Sequence, residues 1–324
     1  MKNKFSTTLL LSVLIGFLSC ETEEGPNHQP DGAALKALMD EVLEDNTEHF
    51  VLDAGAGGMV EGSKGTVVHF NADGFLTQDD EPVTGPIDIE LVAIYKRSTM
   101  LLGNRPTLGK RKNGDMAMLI SGGEFYVNVT QDGKPLKPSK TFQIVAPTGN
   151  TGGTDGEMDI FKGMEECDGD RCDIVWEEDS LAGIEIGEFQ GTGGVFAAYY
   201  AFISQFGWTN IDRWYNDERP KTTIFVDVPD GYDNTNCAVF LLYSGEPAAL
   251  GRFDVYNEDT GLFTEHYGLI PIGLEVHFVF VSIVDDTIHY AIQSATIEEN
   301  HLEVIDEVHT TTLAALIELV DALP

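Results

Sequence analysis

Basic residues are scarce in this chain. Its 324 residues include 19 lysines and arginines against 54 aspartates and glutamates, which gives a formal net charge of −35 at pH 7. Nucleic acid binds proteins mainly through cationic contacts to phosphate, so this charge argues against a nucleic-acid partner. It also disfavours direct docking onto anionic lipid headgroups. The charge alone does not separate a role in solubility from a role in cation binding.

The short motifs of common enzyme classes are also missing. The sequence has no G-x-S-x-G elbow, no G-x-x-x-x-G-K-[ST] phosphate loop and no H-E-x-x-H metal motif. Glycoside hydrolysis needs only two carboxylates that meet in space, and among so many acidic residues no pair is singled out. We therefore expect a protein that is not an enzyme, with a glycan-active hydrolase as one alternative.

The only long apolar run lies at the N-terminus. Leu9–Leu18 follows two lysines and has about half the length of a membrane-spanning helix, which is typical of a secretory signal. The sequence Phe17-Leu18-Ser19-Cys20 resembles a bacterial lipobox, although Phe17 stands where leucine is usual. We predict a signal peptide over residues 1–20 and an anchor of acyl chains on Cys20. Ordinary cleavage beside an incidental cysteine is the alternative.

The segment after Cys20 has too few apolar residues to bury anything. Residues 21–24 read Glu-Thr-Glu-Glu, and two prolines follow by residue 32, so this stretch predicts a solvated tether. An acidic cluster directly after a lipidated cysteine resembles the surface-export signal of Bacteroidetes-type lipoproteins. It implies an outer-membrane lipoprotein exposed at the cell surface. The alternative is that the acidic residues only keep the tether extended.

Cysteine is rare, with four residues in the whole chain. Cys167 and Cys172 flank a short acidic loop and can form a disulfide in an oxidising compartment. The remaining one, Cys237, lies in an apolar run and is expected to be a buried small hydrophobe.

Candidate calcium ligands lie within the loop between these two cysteines and directly after it. Asp168, Asp170 and Asp173 provide a fragment of the oxygen-ligand spacing of calcium loops, but the late bidentate glutamate is missing. The simpler interpretation is a solvated loop closed by the disulfide, with no cofactor.

Hydrophobic periodicity predicts a mainly β fold. A helix is expected over residues 33–49, strands with period-two alternation follow, and a helix capped by one of the threonines 310–312 ends the chain. One hairpin is expected to turn at Asp285-Asp286, which pairs Ser282 with His289. We predict an acidic tether and helix over 21–50, a β-sandwich over 51–147, a linker over 148–185 and a C-terminal β domain over 186–324. The fold class is therefore two β-sandwich-like domains with a short N-terminal helix and a C-terminal helix.

Several segments carry a resemblance to a known group of proteins; they are Gly62–Val68, Glu81–Leu91, Ser121–Gly123 and Phe206–Arg213. Together they resemble a group of uncharacterised Bacteroidetes lipoproteins with an N-terminal β-sandwich and a C-terminal β domain. The first domain is also similar to a ZU5-type sandwich, a fold used for protein interaction. The resemblance implies fold and location, because the group carries no established catalytic residues.

Aromatic residues are dense between positions 199 and 215. Trp208, Trp214 and Tyr215 are candidate ligand contacts if they are exposed, and core residues of the second domain if they are buried. The anchor, the tether, the β domains and the missing catalytic motifs together favour a non-catalytic surface module for adhesion, binding or scaffolding, with a protein or glycan ligand. A periplasm-facing structural component of an envelope complex is the other alternative.

Overall fold

The computed structural model describes residues 29–168, 171–246, 248–265 and 269–324, and for residues 167, 168, 171 and 172 it describes the backbone only. Cys20, the signal peptide and the acidic cluster at 21–24 lie outside the described residues. So do Asp170 and the side chains of Asp168 and of the two cysteines at 167 and 172. The described fold is mainly β, as the sequence predicts, and contains three α-helices. These helices are α1 (Gly32–Asp45), α2 (Arg97–Leu102) and α3 (Leu313–Asp321).

The strands of the chain up to Trp214 form what we call the first block. In chain order they are β1 (Thr47–Asp53), β2 (Gly58–Glu61), β3 (Val67–Phe70), β4 (Phe75–Leu76), β5 (Pro86–Ile94), β6 (Leu108–Lys110), β7 (Met116–Gln131), β8 (Lys134–Pro135), β9 (Lys137–Pro138), β10 (Phe142–Pro147), β11 (Asp159–Asp168), β12 (Arg171–Glu178), β13 (Gly183–Gly191), β14 (Gly194–Ile203) and β15 (Gly207–Trp214).

The later strands, with α3, form what we call the second block. They are β16 (Lys221–Thr222), β17 (Phe225–Asp227), β18 (Cys237–Tyr243), β19 (Leu250–Arg252), β20 (Val255–Asn257), β21 (Leu262–Thr264), β22 (Ile270–Pro271), β23 (Glu275–Val284), β24 (Thr287–Thr296), β25 (Leu302–Val304) and β26 (His309–Thr311).

The first block is a sandwich of two sheets. An eight-stranded sheet runs in the order β1-β5-β7-β15-β11-β12-β6, with β8 beside β7, and faces a five-stranded sheet ordered β13-β14-β10-β3-β2. Alternate residues of β7, among them Phe125 and Val127, point into the core between the sheets, where Ile144 and Tyr199 of the facing sheet meet them. This arrangement follows from the period-two burial of each strand.

The eight-stranded sheet closes partly on itself. Strand β6 pairs with β7 on one side and in parallel with β12 on the other, so β7, β15, β11, β12 and β6 form a ring. Leu119, Phe161 and Trp176 are fully buried together, with Trp214 packed against them. A Cβ at Gly109 would stand 2.8 Å from the Trp214 ring, so only glycine fits this strand position.

The segment expected to be a linker is largely sheet. Strands β11 and β12 and the first residues of β13 lie within residues 148–185, and Ile160 and Phe161 of β11 are buried. The glycine- and threonine-rich start forms a 3₁₀ turn at Thr148–Thr151. Strands β13, β14 and β15, expected in the C-terminal domain, also pair within the first block. These pairings join parts of the chain that are distant in sequence, and no local sequence pattern predicts them.

The second block is a sandwich covered by helices on one side. Its five-stranded sheet (β19-β18-β23-β24-β26) faces a four-stranded sheet (β20-β21-β17-β25) across a core that includes Phe263, Phe278 and Phe280. The outer face of the five-stranded sheet packs against α1, α2 and α3, where Leu316 and Val320 are fully buried. Both cores also take in side chains of the first block, such as Met118 and Ile94. We call this shared boundary between the blocks the seam.

Local signals correctly located several elements. The hairpin of β23 and β24 turns at Asp285-Asp286, which have φ of 48° and 57°, and Ser282 pairs with His289 as predicted. Thr312 caps α3 by accepting a hydrogen bond from the Ala315 N–H. Cys237 is buried, as expected. No helix of the described part of the chain has the length and apolarity needed to cross a membrane.

Candidate functional site

A partly open cavity lies at the seam between the blocks. Its volume is about 150 Å³. Strands β6 and β7 of the first block wall it on one side, and β18 and β19 of the second block wall it on the other. Its apolar walls are formed mainly by aliphatic, thioether and aromatic side chains, among them Leu108, Met116, Met118, Leu241, Phe253 and Ile270. We call it the seam cavity. An apolar pocket with a few polar groups is the usual form of a small-molecule site.

Tyr215 connects the seam cavity to a rigid cluster of charges. Its ring packs edge-on against Tyr243, with the centroids 5.0 Å apart, and its hydroxyl donates to Asp217 Oδ2 at 3.2 Å. Asp217 also binds Arg219 at 2.5 Å and receives a hydrogen bond from Lys221 Nζ at its backbone oxygen. The bonds from Arg219 hold the pKa of Asp217 far below its ordinary value. Asp217 is therefore a structural anion, already saturated by these neighbours.

Arg111 occupies a different position at the same cavity. Its guanidinium lies over the Trp214 ring, 4.1 Å from the centroid. It also lines a neighbouring surface depression of about 470 Å³ together with Lys110, Lys112 and Trp214. Both lysines form ion pairs, Lys110 with Glu166 at 2.6 Å and Lys112 with Glu178 at 3.3 Å. The Arg111 side chain has no hydrogen bond or ion pair with any residue that the structure describes.

A second group of polar residues is sealed inside the eight-stranded sheet, where β7 meets β15. Glu124 lies opposite Asn210, and Asp212 lies opposite Ser121, with a bulge between these two pairs. Asn210 Nδ2 donates to Asp212 Oδ2 at 2.6 Å, and Ser121 Oγ donates to Asn210 Oδ1 at 2.8 Å. All four side chains are buried, and Glu124 and Asp212 are 0% exposed.

The two carboxyl groups of this cluster are incompletely satisfied. Among the described residues, neither oxygen of Glu124 and not Oδ1 of Asp212 has a hydrogen-bond partner. Burial raises the pKa of Glu124 well above 4.5, against an opposing pull from Arg105. Burial, and then the nearby Glu124, raise the pKa of Asp212 above 3.8 in the same way. Burial therefore favours the neutral form of each carboxyl group.

Arg105 is the cation whose charge acts on Glu124 of this cluster. Its guanidinium lies 4.7 Å from the centroid of the Trp208 ring and donates to the backbone oxygens of Gly103 and Asn104. Burial lowers the pKa of Arg105, and the negative charges of Glu124 and Asp173 oppose that shift. The cluster is closed to solvent, so it presents no surface to a ligand.

The structure does not bring the three candidate aromatic contacts together on one surface. Trp208 packs against Tyr126, with ring centroids 5.2 Å apart. Trp214 stands between Arg111 and Phe161 and donates its Nε1 hydrogen to Glu178 at 2.9 Å. Of the three, Tyr215 alone lines the seam cavity.

The candidate calcium ligands fall mostly outside what can be described. Asp170 and the Asp168 side chain are not described, whereas Asp173 binds Arg252 at 2.6 Å and accepts from Asn104 at 3.1 Å. In the described parts of the chain, no three His, Cys, Asp or Glu side chains are grouped to hold a metal ion. The backbone register of β11 and β12 sets Cys167 opposite Cys172. Their side chains, and with them the expected disulfide, lie outside the described residues.

Sequence reasoning missed the seam cavity and the buried acid cluster. The cavity is walled by β6 and β19, which are 3 residues each, and by loops, so no periodic pattern marks it. Glu124 alternates with Phe125 and therefore looks solvent-facing, but it shares its face with Asn210 and Phe161, and Phe161 packs inside the closed ring of first-block strands. The bulge residues Ser121 and Gly123 were the nearest signal, because the Gly123 φ of 132° favours glycine.

The chain matches no protein-family model, and no curated protein is significantly similar to it.

Proposed function

We propose that this chain is a lipid-anchored envelope protein that binds a ligand without transforming it, and that the seam cavity is its binding site. The observation that carries the proposal is the cavity itself, a pre-formed apolar space of about 150 Å³ with charged groups among its lining residues. Engineered apolar cavities of about this size hold a benzene molecule. The cavity therefore favours one small apolar group over a sugar ring with its rim of hydroxyls.

The described chain begins away from the seam cavity. It enters beside the end of β23, where Pro30 bridges Val284 and the Asp31 N–H donates to the Ile283 oxygen at 2.7 Å. The seam cavity lies toward the start of the same strand, since its lining residue Tyr243 pairs with Val276. The strand between these points spans about 26 Å.

The anchor is tested on intact cells. Metabolic labelling with a fatty acid should mark the wild-type protein and leave the Cys20→Ala variant unlabelled. A protease too large to enter the periplasm should digest the wild-type protein on intact cells, with lysed cells as the control. Labelling of the Cys20→Ala variant would remove the anchor from the proposal. Protection until lysis would favour the periplasm-facing structural role instead.

The binding site is tested with a variant that fills it. Ala117 lines the seam cavity on β7 and is half-exposed, so Ala117→Phe adds a ring there without rebuilding a sealed core. Hexan-1-ol should raise the melting temperature of the wild-type protein in a concentration-dependent way, because a ligand of the folded state stabilises it. The increase should be lost in Ala117→Phe.

The matched control is Ala314→Phe, which adds the same ring at an exposed position of α3. This variant should keep the wild-type response to hexan-1-ol. An equal response in both variants would show that the alcohol binds elsewhere, and the absence of any response in the wild-type protein would remove the seam cavity as a binding site.

A further inference from the structure

Arg111 differs from the other cations around the seam cavity. Arg252 is paired with Asp173 at 2.6 Å, and Lys221 donates to Asp217. The Arg111 side chain contacts the Trp214 ring, and its charge interacts with nearby Glu178 without a hydrogen bond or ion pair to a described residue. A guanidinium stacked by its face keeps its N–H donors at the edges, where they remain available to a planar anion.

The cavity lining has one more basic than acidic side chain, in a chain that carries a net charge of −35. Three basic side chains (Arg111, Lys221 and Arg252) and two acidic ones (Asp217 and Glu265) line the seam cavity. Asp173 binds Arg252, and Asp217 binds Lys221. Arg111 is therefore the lining cation whose N–H donors are available to a negatively charged ligand group.

The apolar end of the same cavity determines the chemical character of the rest of the ligand. The side chains of Leu241 and Phe253 have no hydrogen-bonding groups, the Met118 sulfur already accepts from Thr107 Oγ1 at 3.4 Å, and the space has about the size of a benzene molecule. The ligand must therefore combine a small apolar group with an anionic group at one end.

We infer that the seam cavity binds a small monocarboxylate, with an apolar chain or ring of about six carbon atoms inside the cavity and the carboxylate on the guanidinium of Arg111. The inference rests on the proposed function and names its ligand class. Arg111 is the specificity-determining residue, since its fork of N–H donors matches the two oxygens of a carboxylate.

The acidic residues beside Arg111 favour a monoanion over a dianion. Glu177 and Glu178 line the depression that Arg111 shares with the cavity, with Lys162 3.8 Å from Glu177 and Lys112 3.3 Å from Glu178. A phosphate monoester carries up to two negative charges near neutral pH and would meet more repulsion here than a carboxylate with one charge.

The experiment is calorimetric titration of the full mature protein with hexanoate, hexanamide and hexyl phosphate at fixed ionic strength. Hexanamide has the shape of hexanoate without its charge. Hexanoate should bind roughly tenfold more tightly than hexanamide, because a charge-assisted hydrogen bond adds that much affinity, and hexyl phosphate should bind more weakly than hexanoate.

Two variants of Arg111 separate recognition from folding. Arg111→Met should bring hexanoate to the affinity of hexanamide, whereas Arg111→Lys should keep part of the preference, because it keeps the charge but not the fork. The matched control is Lys112→Met, which removes the same charge beside the cavity without touching its lining. This control should keep the wild-type preference for hexanoate.

The outcomes distinguish this inference from the proposed function. Equal binding of hexanoate and hexanamide to the wild-type protein, both lost in Ala117→Phe, would overturn the carboxylate and leave the cavity as a site for apolar groups. A preference for hexanoate that survives Arg111→Met would overturn the role of Arg111. If none of the three compounds binds, the proposed function itself fails.

Discussion

At the scale of single residues, the buried carboxyl group of Glu124 should make stability depend on pH. Its pKa is raised by burial in the folded protein, so the folded state holds the proton at pH values where the unfolded state has released it. Stability is then highest below the ordinary value of 4.5 and falls as pH rises above it, by up to about 1.4 kcal/mol per pH unit. The decline stops only above the folded-state pKa.

Glu124→Gln should remove this contribution. An amide keeps the size of the side chain and does not ionise, so the free energy of unfolding of the variant, relative to that of the wild type, should increase as the pH rises above 5. Urea denaturation at several pH values measures that difference. The control is the exposed Glu188→Gln, whose difference from wild type should stay small throughout. Parallel curves for wild type and Glu124→Gln would show that Glu124 does not titrate differently on folding.

Whether such a residue is buried could not be predicted from its neighbours in the sequence. Phe125 and Val127 correctly predict a core on one face of β7, and by the same alternation Glu124 should face water. It shares its face of the sheet with Asn210 and, beyond it, Phe161, which packs with Trp176 inside the ring formed by β7, β15, β11, β12 and β6. Tyr215 could be singled out as an aromatic, but its place in the seam cavity depends on residues from both blocks.

At the scale of elements, the start of α1 depends on one side chain. Asp31 Oδ1 accepts hydrogen bonds from the N–H groups of Ala33 and Ala34, each at 2.9 Å. The helix then buries Leu35 and Met39 against the second block. Asp31→Ala should lower the free energy of unfolding by about 0.5–2 kcal/mol, because the first turn loses its acceptor.

Urea denaturation of Asp31→Ala and Asp31→Asn measures the contribution of this cap. Asparagine keeps an acceptor oxygen at the same place, so Asp31→Asn should remain close to wild type. If alanine proves as stable as aspartate, the cap does not stabilise the fold. If asparagine proves as destabilising as alanine, the charge of Asp31, not its acceptor, is what matters.

Elements with strong local signals were predicted well, and elements defined by distant pairing were not. The helix over 33–49 and the turn at Asp285-Asp286 follow from apolar spacing and turn chemistry, and both are present, with α1 ending at Asp45. The ring closed by β6 and β12 pairs Gly109 with Trp176, which are far apart in sequence. No periodicity within either strand specifies such a pairing, and the segment therefore looked like a linker.

At the scale of the whole molecule, the two blocks should unfold together. Each block contributes side chains to the cores at the seam, with Met116 and Met118 beside Phe278 in one and Ile94 beside Val281 in the other. Such shared cores make the folding of one block depend on the other. A division into independent domains at the linker would instead predict two separate transitions.

The distribution of tryptophan allows a direct test of this coupling. All three tryptophans, Trp176, Trp208 and Trp214, lie in the first block, so their fluorescence reports the unfolding of that block, and Trp208 also packs against the core at the seam. Phe278→Ala truncates a fully buried ring in β23 of the second block and should cost about 3–5 kcal/mol. In urea denaturation, the free energy of unfolding measured by tryptophan fluorescence should fall by this full amount. The midpoint of the fluorescence transition should coincide with the loss of amide protection in β23.

The matched control is Leu302→Ala, which truncates a side chain that is 50% exposed in the second block. This variant should leave the fluorescence midpoint almost unchanged. A fluorescence midpoint that Phe278→Ala does not move, while β23 loses protection early, would mean that the blocks fold independently and that the seam is only a contact between finished domains.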